Sequence, residues 1–159
     1  MKSVTSHRGR AAPTPEAGDL LALDRQVCFA LAVASRNVIG LYRPLLEPLG
    51  LTHPQYLVML ALWERSPRSV KDLGEELRLE PATLSPLLKR LEAAGLVARH
   101  RSTSDERQLD ISLTETGVAL RAEAETIPPR VVERLGMSLT ELGDLRTSLW
   151  RVITAAQPS

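Results

Sequence analysis

Pro81-Ala82-Thr83-Leu84-Ser85-Pro86-Leu87-Leu88-Lys89-Arg90-Leu91, followed by the run from Val97 to Leu113, decides the fold. In the first stretch Leu84, Leu87, Leu88 and Leu91 recur at three- and four-residue steps, the period of a helix that buries one face. Glu80-Pro81 reads as the entry to that helix, which ends near Ala94. Gly95 reads as its stop, because glycine takes up the left-handed backbone that follows a last helical turn. Ser85-Pro86, taken alone, also marks a helix start. Beyond Gly95 the period changes. Val97, Arg99 and Arg101 precede a polar turn, Ser102 to Glu106, and then Gln108, Leu109, Asp110, Ile111, Ser112 and Leu113 alternate as a β-hairpin does. Upstream, Ser69 caps a short helix from Val70 to about Leu77. Two short helices joined by about four residues, then a hairpin, make a winged helix-turn-helix.

Working outward, Thr52 and Gln55 have capping-box spacing, with Pro54 in the first turn of a helix that is apolar nearly all round (Tyr56, Leu57, Met59, Leu60, Leu62, Trp63). Before it, Leu20, Leu23, Val27, Leu31, Ala34, Val38 and Leu41 predict a long helix from Asp19, ended by Pro44 and Pro48. After the hairpin, Thr114 caps a helix that Pro128-Pro129 kinks or breaks. Ser138 and Glu141 then open a last helix to about Ala155, expected to bury Leu142, Leu145, Leu149 and Val152. The terminal helices need a partner for their apolar stripes, and a second copy of the chain is the simplest one. The expected architecture is mainly α with a small β-hairpin wing. It comprises a flexible arm over 1–18 and one domain over 19–159. Within that domain the winged unit spans about 52–114, between dimerisation helices at about 19–46 and 115–157.

Composition agrees. The chain has 159 residues, 43% hydrophobic and 25% charged, which excludes wholesale disorder. Aromatics are 3%, so the core is aliphatic, which favours packed helices. Net charge is +1, so any attraction to nucleic acid must be local. It is local: Lys89, Arg90, Arg99 and Arg101 against Glu92 make four minus one, a +3 patch. In the amino-terminal arm Lys2, Arg8 and Arg10 are unopposed by acid before Glu16; a disordered tail is the plain reading and a tail that touches DNA phosphates the alternative. One cysteine, Cys28, allows no intramolecular disulfide and no cysteine-based metal site. The absence of a secretory apolar run or an 18-residue apolar span predicts a cytoplasmic protein with no membrane partner. No catalytic constellation, cofactor motif or metal-ligand set stands out, so no enzyme activity is expected.

On the recognition helix, Thr83 and Ser85 are short donors suited to base edges or phosphates, and Lys89 and Arg90 suit phosphates. A solvated basic face is the plainer alternative. At the hairpin tip, Arg107 suits a narrow minor groove, and Asp105 can hold its guanidinium through a bidentate pair. A surface ion pair without function is the alternative there.

The run Ser69–Gly117 resembles the winged-helix domain of MarR-family repressors, and Asp105-Glu106-Arg107 matches that family's D-x-R wing motif. The resemblance is nearest to the OhrR organic-hydroperoxide sensors. It is carried by Val27-Cys28-Phe29-Ala30-Leu31, Tyr42-Arg43-Pro44-Leu45-Leu46, Leu51-Thr52-His53-Pro54-Gln55-Tyr56-Leu57, Thr83-Leu84-Ser85-Pro86-Leu87-Leu88-Lys89-Arg90 and Asp105-Glu106-Arg107-Gln108. It implies a homodimer on double-stranded operator DNA, with Arg107 in the minor groove and Asp105 orienting it. The DNA-facing set is Ala82, Thr83, Ser85, Pro86, Lys89, Arg90, Arg101, Asp105 and Arg107.

It also implies that Cys28, otherwise an inert buried small hydrophobe, is the redox-sensing thiol, with an organic hydroperoxide and a small cellular thiol as reactants. Two tyrosines of the partner subunit contact this sulfur in the family. One position is Tyr42. About 21 Å of helix separates it from its own Cys28, so contact would be made across the dimer. The other position is His53 here, and a further family tyrosine is Ala32. A protonated His53 would lower the thiol pKa by charge as well as hydrogen bonding, which predicts pH-dependent sensing between about pH 6 and 8. A solvated ring at a helix start is the alternative for His53. With no second cysteine, the chain resembles the one-cysteine members, whose sulfenic acid forms a mixed disulfide or over-oxidises. A MarR-type repressor released by a small phenolic or drug-like ligand is the alternative function.

Overall fold

The computed structural model describes residues 19–158. The predicted flexible arm, 1–18, and its basic residues lie outside them. The described residues divide into two compact units, 19–36 and 37–158.

In the first unit the described chain opens with a 3-10 turn, Leu23–Arg25, before helix α1 (Val27–Leu46) begins. The predicted start at Asp19 is eight residues too early. Asp19 Oδ1 accepts from the Leu21 backbone N–H (3.1 Å), and Gln26 Nε2 donates to the carbonyls of Leu20 (2.7 Å) and Ala22 (3.0 Å). These local side-chain bonds compete with the helical ladder, and Leu20, Leu21 and Leu23 stay exposed. At the other end α1 accommodates Pro44 in its last turn, and Gly50 turns the chain at φ +69°.

The second unit carries the end of α1, a 3-10 turn (Glu47–Leu49), α2 (His53–Glu64), β1 (Arg68–Ser69), α3 (Val70–Leu77), α4 (Pro81–Ala93), β2 (Val97–Arg101), β3 (Leu109–Leu113), α5 (Glu115–Ala124), α6 (Ile127–Leu135) and α7 (Leu139–Ala155). The predicted caps form. Gln55 Oε1 accepts from the Thr52 N–H (2.9 Å) while Thr52 Oγ1 accepts from that of Gln55, and Ser69 Oγ takes the Asp72 N–H at 3.0 Å. The α4 helix begins at Pro81 and runs through Pro86. Pro86 and Ala82 are exposed, so water can take the carbonyl that the proline leaves without a donor.

The hairpin β2–β3 pairs antiparallel from Val97↔Leu113 to Arg101↔Leu109. A third strand, β1, joins it through Arg68↔Ile111 and Ser69↔Asp110, giving the order β1-β3-β2. Two residues are too short for a period-2 signal, which is why this strand was not predicted. The core gathers Leu46, Met59, Leu62, Leu73, Leu84, Leu88, Leu91, Ile111 and Ile127, all but one from α-helices.

Gly117 ties α5 to this core. Its carbonyl accepts from Trp63 Nε1 (2.9 Å), and its Cα passes so close to the Leu96 carbonyl that a Cβ would lie inside van der Waals contact. The break between α5 and α6 falls at Glu125-Thr126, just before the two prolines. They then occupy the first turn of α6, where a missing N–H costs nothing. The last helix differs from expectation: no α7 residue is buried, Leu145 being 45% and Val152 41% exposed, with Leu142 and Leu149 half-buried. Among the described residues the chain covers this stripe only in part.

Candidate functional site

The α4 helix separates its residues by face. Leu84, Leu87, Leu88 and Leu91 are buried, whereas Ala82, Thr83, Pro86, Lys89 and Arg90 are exposed and Ser85 is half-buried. The exposed residues recur at helical spacing, so they present one outward surface of small polar groups near the helix start and cations further along. Beside it, Arg99 makes a bidentate pair with Glu92, Nε to Oε2 at 3.0 Å and Nη2 to Oε1 at 2.9 Å. Its guanidinium holds the Glu92 carboxyl below the usual carboxylate range. The pair ties β2 to α4 and cancels one cation against the one acid. The +3 of this region therefore rests on Lys89, Arg90 and Arg101, all exposed.

The wing tip is a closed polar loop. The Ser102 N–H donates to the Gln108 carbonyl (2.8 Å), and the Gln108 N–H to that of Asp105 (2.9 Å). Arg101 Nη1 donates to the Glu106 carbonyl at 2.9 Å. Asp105 Oδ1 accepts from the backbone N–H of Arg107 at 3.0 Å, an Asx turn. The predicted side-chain pair between Asp105 and Arg107 does not form. The turn's short reach delivers the aspartate to the main chain instead, so Asp105 shapes the loop. Among the described residues the Arg107 guanidinium makes no ion pair, and it projects exposed at the tip. A cation held out on a narrow hairpin next to a basic helix face fits a phosphate-lined groove.

A second cluster forms where α1 meets the start of α2. Tyr42 and His53 stack edge-on with ring centroids 5.1 Å apart, and Tyr56 lies 5.8 Å from Tyr42 and 6.5 Å from His53. Sequence reasoning placed Tyr56 in the core only. Its position one helical turn after His53 was the available signal. Burial pushes both phenols up and the imidazole down from their ordinary values, so all three rings are neutral hydrogen-bonding groups at pH 7. Burial shifts His53 protonation in the acid direction, against the charged imidazole that pH-dependent sensing near neutrality requires. Cys28 stands in the first unit as the second residue of α1, with its side chain exposed rather than buried. Among the described residues no cluster of three His, Cys, Asp or Glu side chains could hold a metal, and no helix is long and apolar enough to cross a membrane.

Known proteins resemble this chain in sequence and fold. The model described as MarR family matches residues 51–109. The organic hydroperoxide resistance transcriptional regulator of Bacillus subtilis (strain 168) is 42% identical over 135 residues, which are 85% of this chain and 92% of that protein. Reduced AbfR bound to DNA superposes with a TM-score of 0.69 at 34% identity, covering 84% of this chain and 93% of that one. Overoxidized AbfR bound to DNA has the same TM-score of 0.69 and identity of 34%, over 85% and 95%.

Proposed function

The chain belongs to the MarR family of DNA-binding transcription regulators, and on that premise we propose that it is a repressor, acting in the cytoplasm, that senses organic hydroperoxides at Cys28 and then releases its operator. The observation that carries this reading is the exposed thiol at the head of α1 in a chain 42% identical to an organic hydroperoxide resistance regulator.

Two copies bind a pseudo-palindromic site. Each α4 lays Ala82, Thr83, Ser85, Pro86, Lys89 and Arg90 into a major groove, and each wing brings Arg101 and Arg107 to the flanking minor groove. The exposed apolar residues of α7 are what the second copy covers. Tyr42 and His53, with Tyr56 behind them, face the partner's sulfur and donate to its thiolate.

The thiolate attacks one peroxide oxygen and the O–O bond breaks. The alkoxide leaves as the alcohol after taking a proton, and Cys28 becomes a sulfenic acid. A small thiol then attacks that sulfur, water leaves, and a mixed disulfide remains. The adduct is too large for a dry pocket of three rings, so the helices shift and the spacing of the two recognition helices changes. Overoxidized AbfR has been crystallised on DNA. By analogy, the bulky mixed disulfide rather than added oxygen atoms is the form that leaves the operator here.

The test is binding to the protein's own upstream DNA before and after one equivalent of organic hydroperoxide, with a small thiol present. A large affinity loss that reductant restores, and that Cys28→Ser abolishes, is the expected result. Tight binding unmoved by oxidant would discard the redox step and retain the repressor. A second reading, release by a small phenolic ligand, is favoured by a cavity of about 310 Å³ lined by Tyr56, Leu60, Trp63 and Arg121. Release by such a ligand from Cys28→Ser protein would establish it. Sustained peroxide turnover would point to a thiol peroxidase.

A further inference from the structure

Arg68 is the most buried charged side chain of the winged unit, 3% exposed, and it touches three elements at once. Its Nε donates to Asp72 Oδ2 on α3 at 2.6 Å, its Nη2 donates to Glu76 Oε2 one turn further along α3, and its Nη1 donates to the Ala61 carbonyl in the last turn of α2 at 3.3 Å. Arg65 adds a second cation to Asp72 Oδ2 at 2.7 Å, so two cations face two carboxylates. The backbone of Arg68 is β1, paired with Ile111 of β3, the strand that carries the far side of the wing. A two-residue edge strand has little pairing of its own to hold it. At this edge the Arg68 fork ties the wing's sheet to α2 and α3, beside a bond from the Leu113 N–H to Ser66 Oγ at 3.0 Å.

We propose that Arg68 is a positioning residue for DNA recognition. By bridging α2, α3 and β1 it sets the wing's angle to α4, and so the reach of Arg107 to the minor groove while α4 is seated in the major groove. The proposal rests on the DNA-binding reading above. A planar guanidinium suits the task because its donors diverge in fixed directions toward separate acceptors, which a single ammonium cannot satisfy together. The cluster also explains why an apolar residue does not serve here: it would fill the space and leave Asp72 and Glu76 side by side with only Arg65 to compensate them.

The test is a double-mutant cycle on operator affinity between Arg68→Lys and Arg107→Ala, with amide hydrogen exchange measured on DNA-free protein. Arg68→Lys keeps the charge and loses the fork. It is expected to weaken operator binding by about tenfold, the scale of one lost groove contact, and to leave non-operator binding almost unchanged. Adding Arg107→Ala should then cost clearly less than it costs in the native background, because the wing is already out of place. Exchange should quicken at the β3 amides and stay slow in the middle of α4. Strict additivity of the two substitutions, or unchanged β3 exchange, would overturn the assignment and leave Arg68 a stabilising group only. If Arg68→Lys does not fold, the triple change Arg68→Met, Asp72→Asn, Glu76→Gln removes the buried cation and both carboxylates, leaves only the exposed Arg65, and carries the same cycle. Native protein without operator preference would count against the regulator reading, and the exchange experiment would still decide the role of Arg68.

Discussion

Gly117→Ala is the substitution whose effect follows most directly from the geometry. The added methyl would fall inside contact distance of the Leu96 carbonyl oxygen, 3.1 Å from the Leu96 carbonyl carbon and 3.3 Å from Leu113 Cδ2. Two of the three atoms are backbone, so no rotamer change relieves the clash, and the start of α5 must move outward by about 1 Å. That movement pulls on the Trp63–Gly117 bond (2.9 Å) and on the Thr114 N–H to Leu96 carbonyl bond (3.1 Å). Overpacking costs roughly 1–3 kcal/mol and one or two weakened hydrogen bonds about 1 kcal/mol each. The better helix propensity of alanine returns about 1 kcal/mol. The net loss is about 1–4 kcal/mol, or roughly 2–16 °C in Tm for a chain of this size. Thermal unfolding beside the native protein measures it, and tryptophan emission should shift to the red as Trp63 loosens. A Tm within about 2 °C of native, with unchanged emission, would refute the close-approach reasoning.

Arg107→Ala should weaken operator binding by about tenfold and lower the salt slope by about one, whereas Asp105→Ala, which loosens the turn without removing a groove contact, should cost less. Fluorescence anisotropy across a salt series separates the two, and equal losses would return Asp105 to a direct role. Burial lowers the His53 pKa, so the unfolded chain binds that proton more readily than the folded one. Stability from this group is complete above the unfolded value of about 6.5 and is lost as pH falls toward the folded value. His53→Tyr should therefore lose less denaturant stability than the native protein between about pH 7.5 and about 5.5. Identical acid-side losses would show that His53 is not responsible. Leu145→Glu puts a charge in the exposed stripe of α7 and should shift the chain from dimer to monomer in sedimentation. An unchanged sedimentation coefficient would place the subunit interface elsewhere.

Patterns confined to one turn or one hairpin were legible. Thr52 with Gln55, Ser69, Thr114 and Ser138 with Glu141 all act as the caps their spacing implied, because a cap is a local bond between residues three apart. The leucine face of α4 and the presence of the hairpin followed from periods of 3.6 and 2. The start of α1 was misjudged because Asp19 and Gln26 make local bonds that an apolar repeat does not record. Of the site, the outward face of α4 and the exposed Arg107 were readable from the chain. The partner of Asp105 was not, since a carboxylate two residues from an arginine can reach either its guanidinium or its backbone.

What the sequence alone determined is therefore the main helices and the hairpin, their caps and the buried face of α4: each depends on interactions within a few residues, and composition and spacing encode those directly. The tertiary structure decided what is brought together across tens of residues. It gathered Tyr42 with His53 and Tyr56, set Gly117 against Leu96, and made the short strand of Arg68 the edge of the wing's sheet. Such contacts depend on the packing of whole helices, whose crossing no local pattern specifies. Within the described residues of one chain that packing leaves much of the α7 stripe exposed, with Leu145, Trp150 and Val152 more than two-fifths accessible.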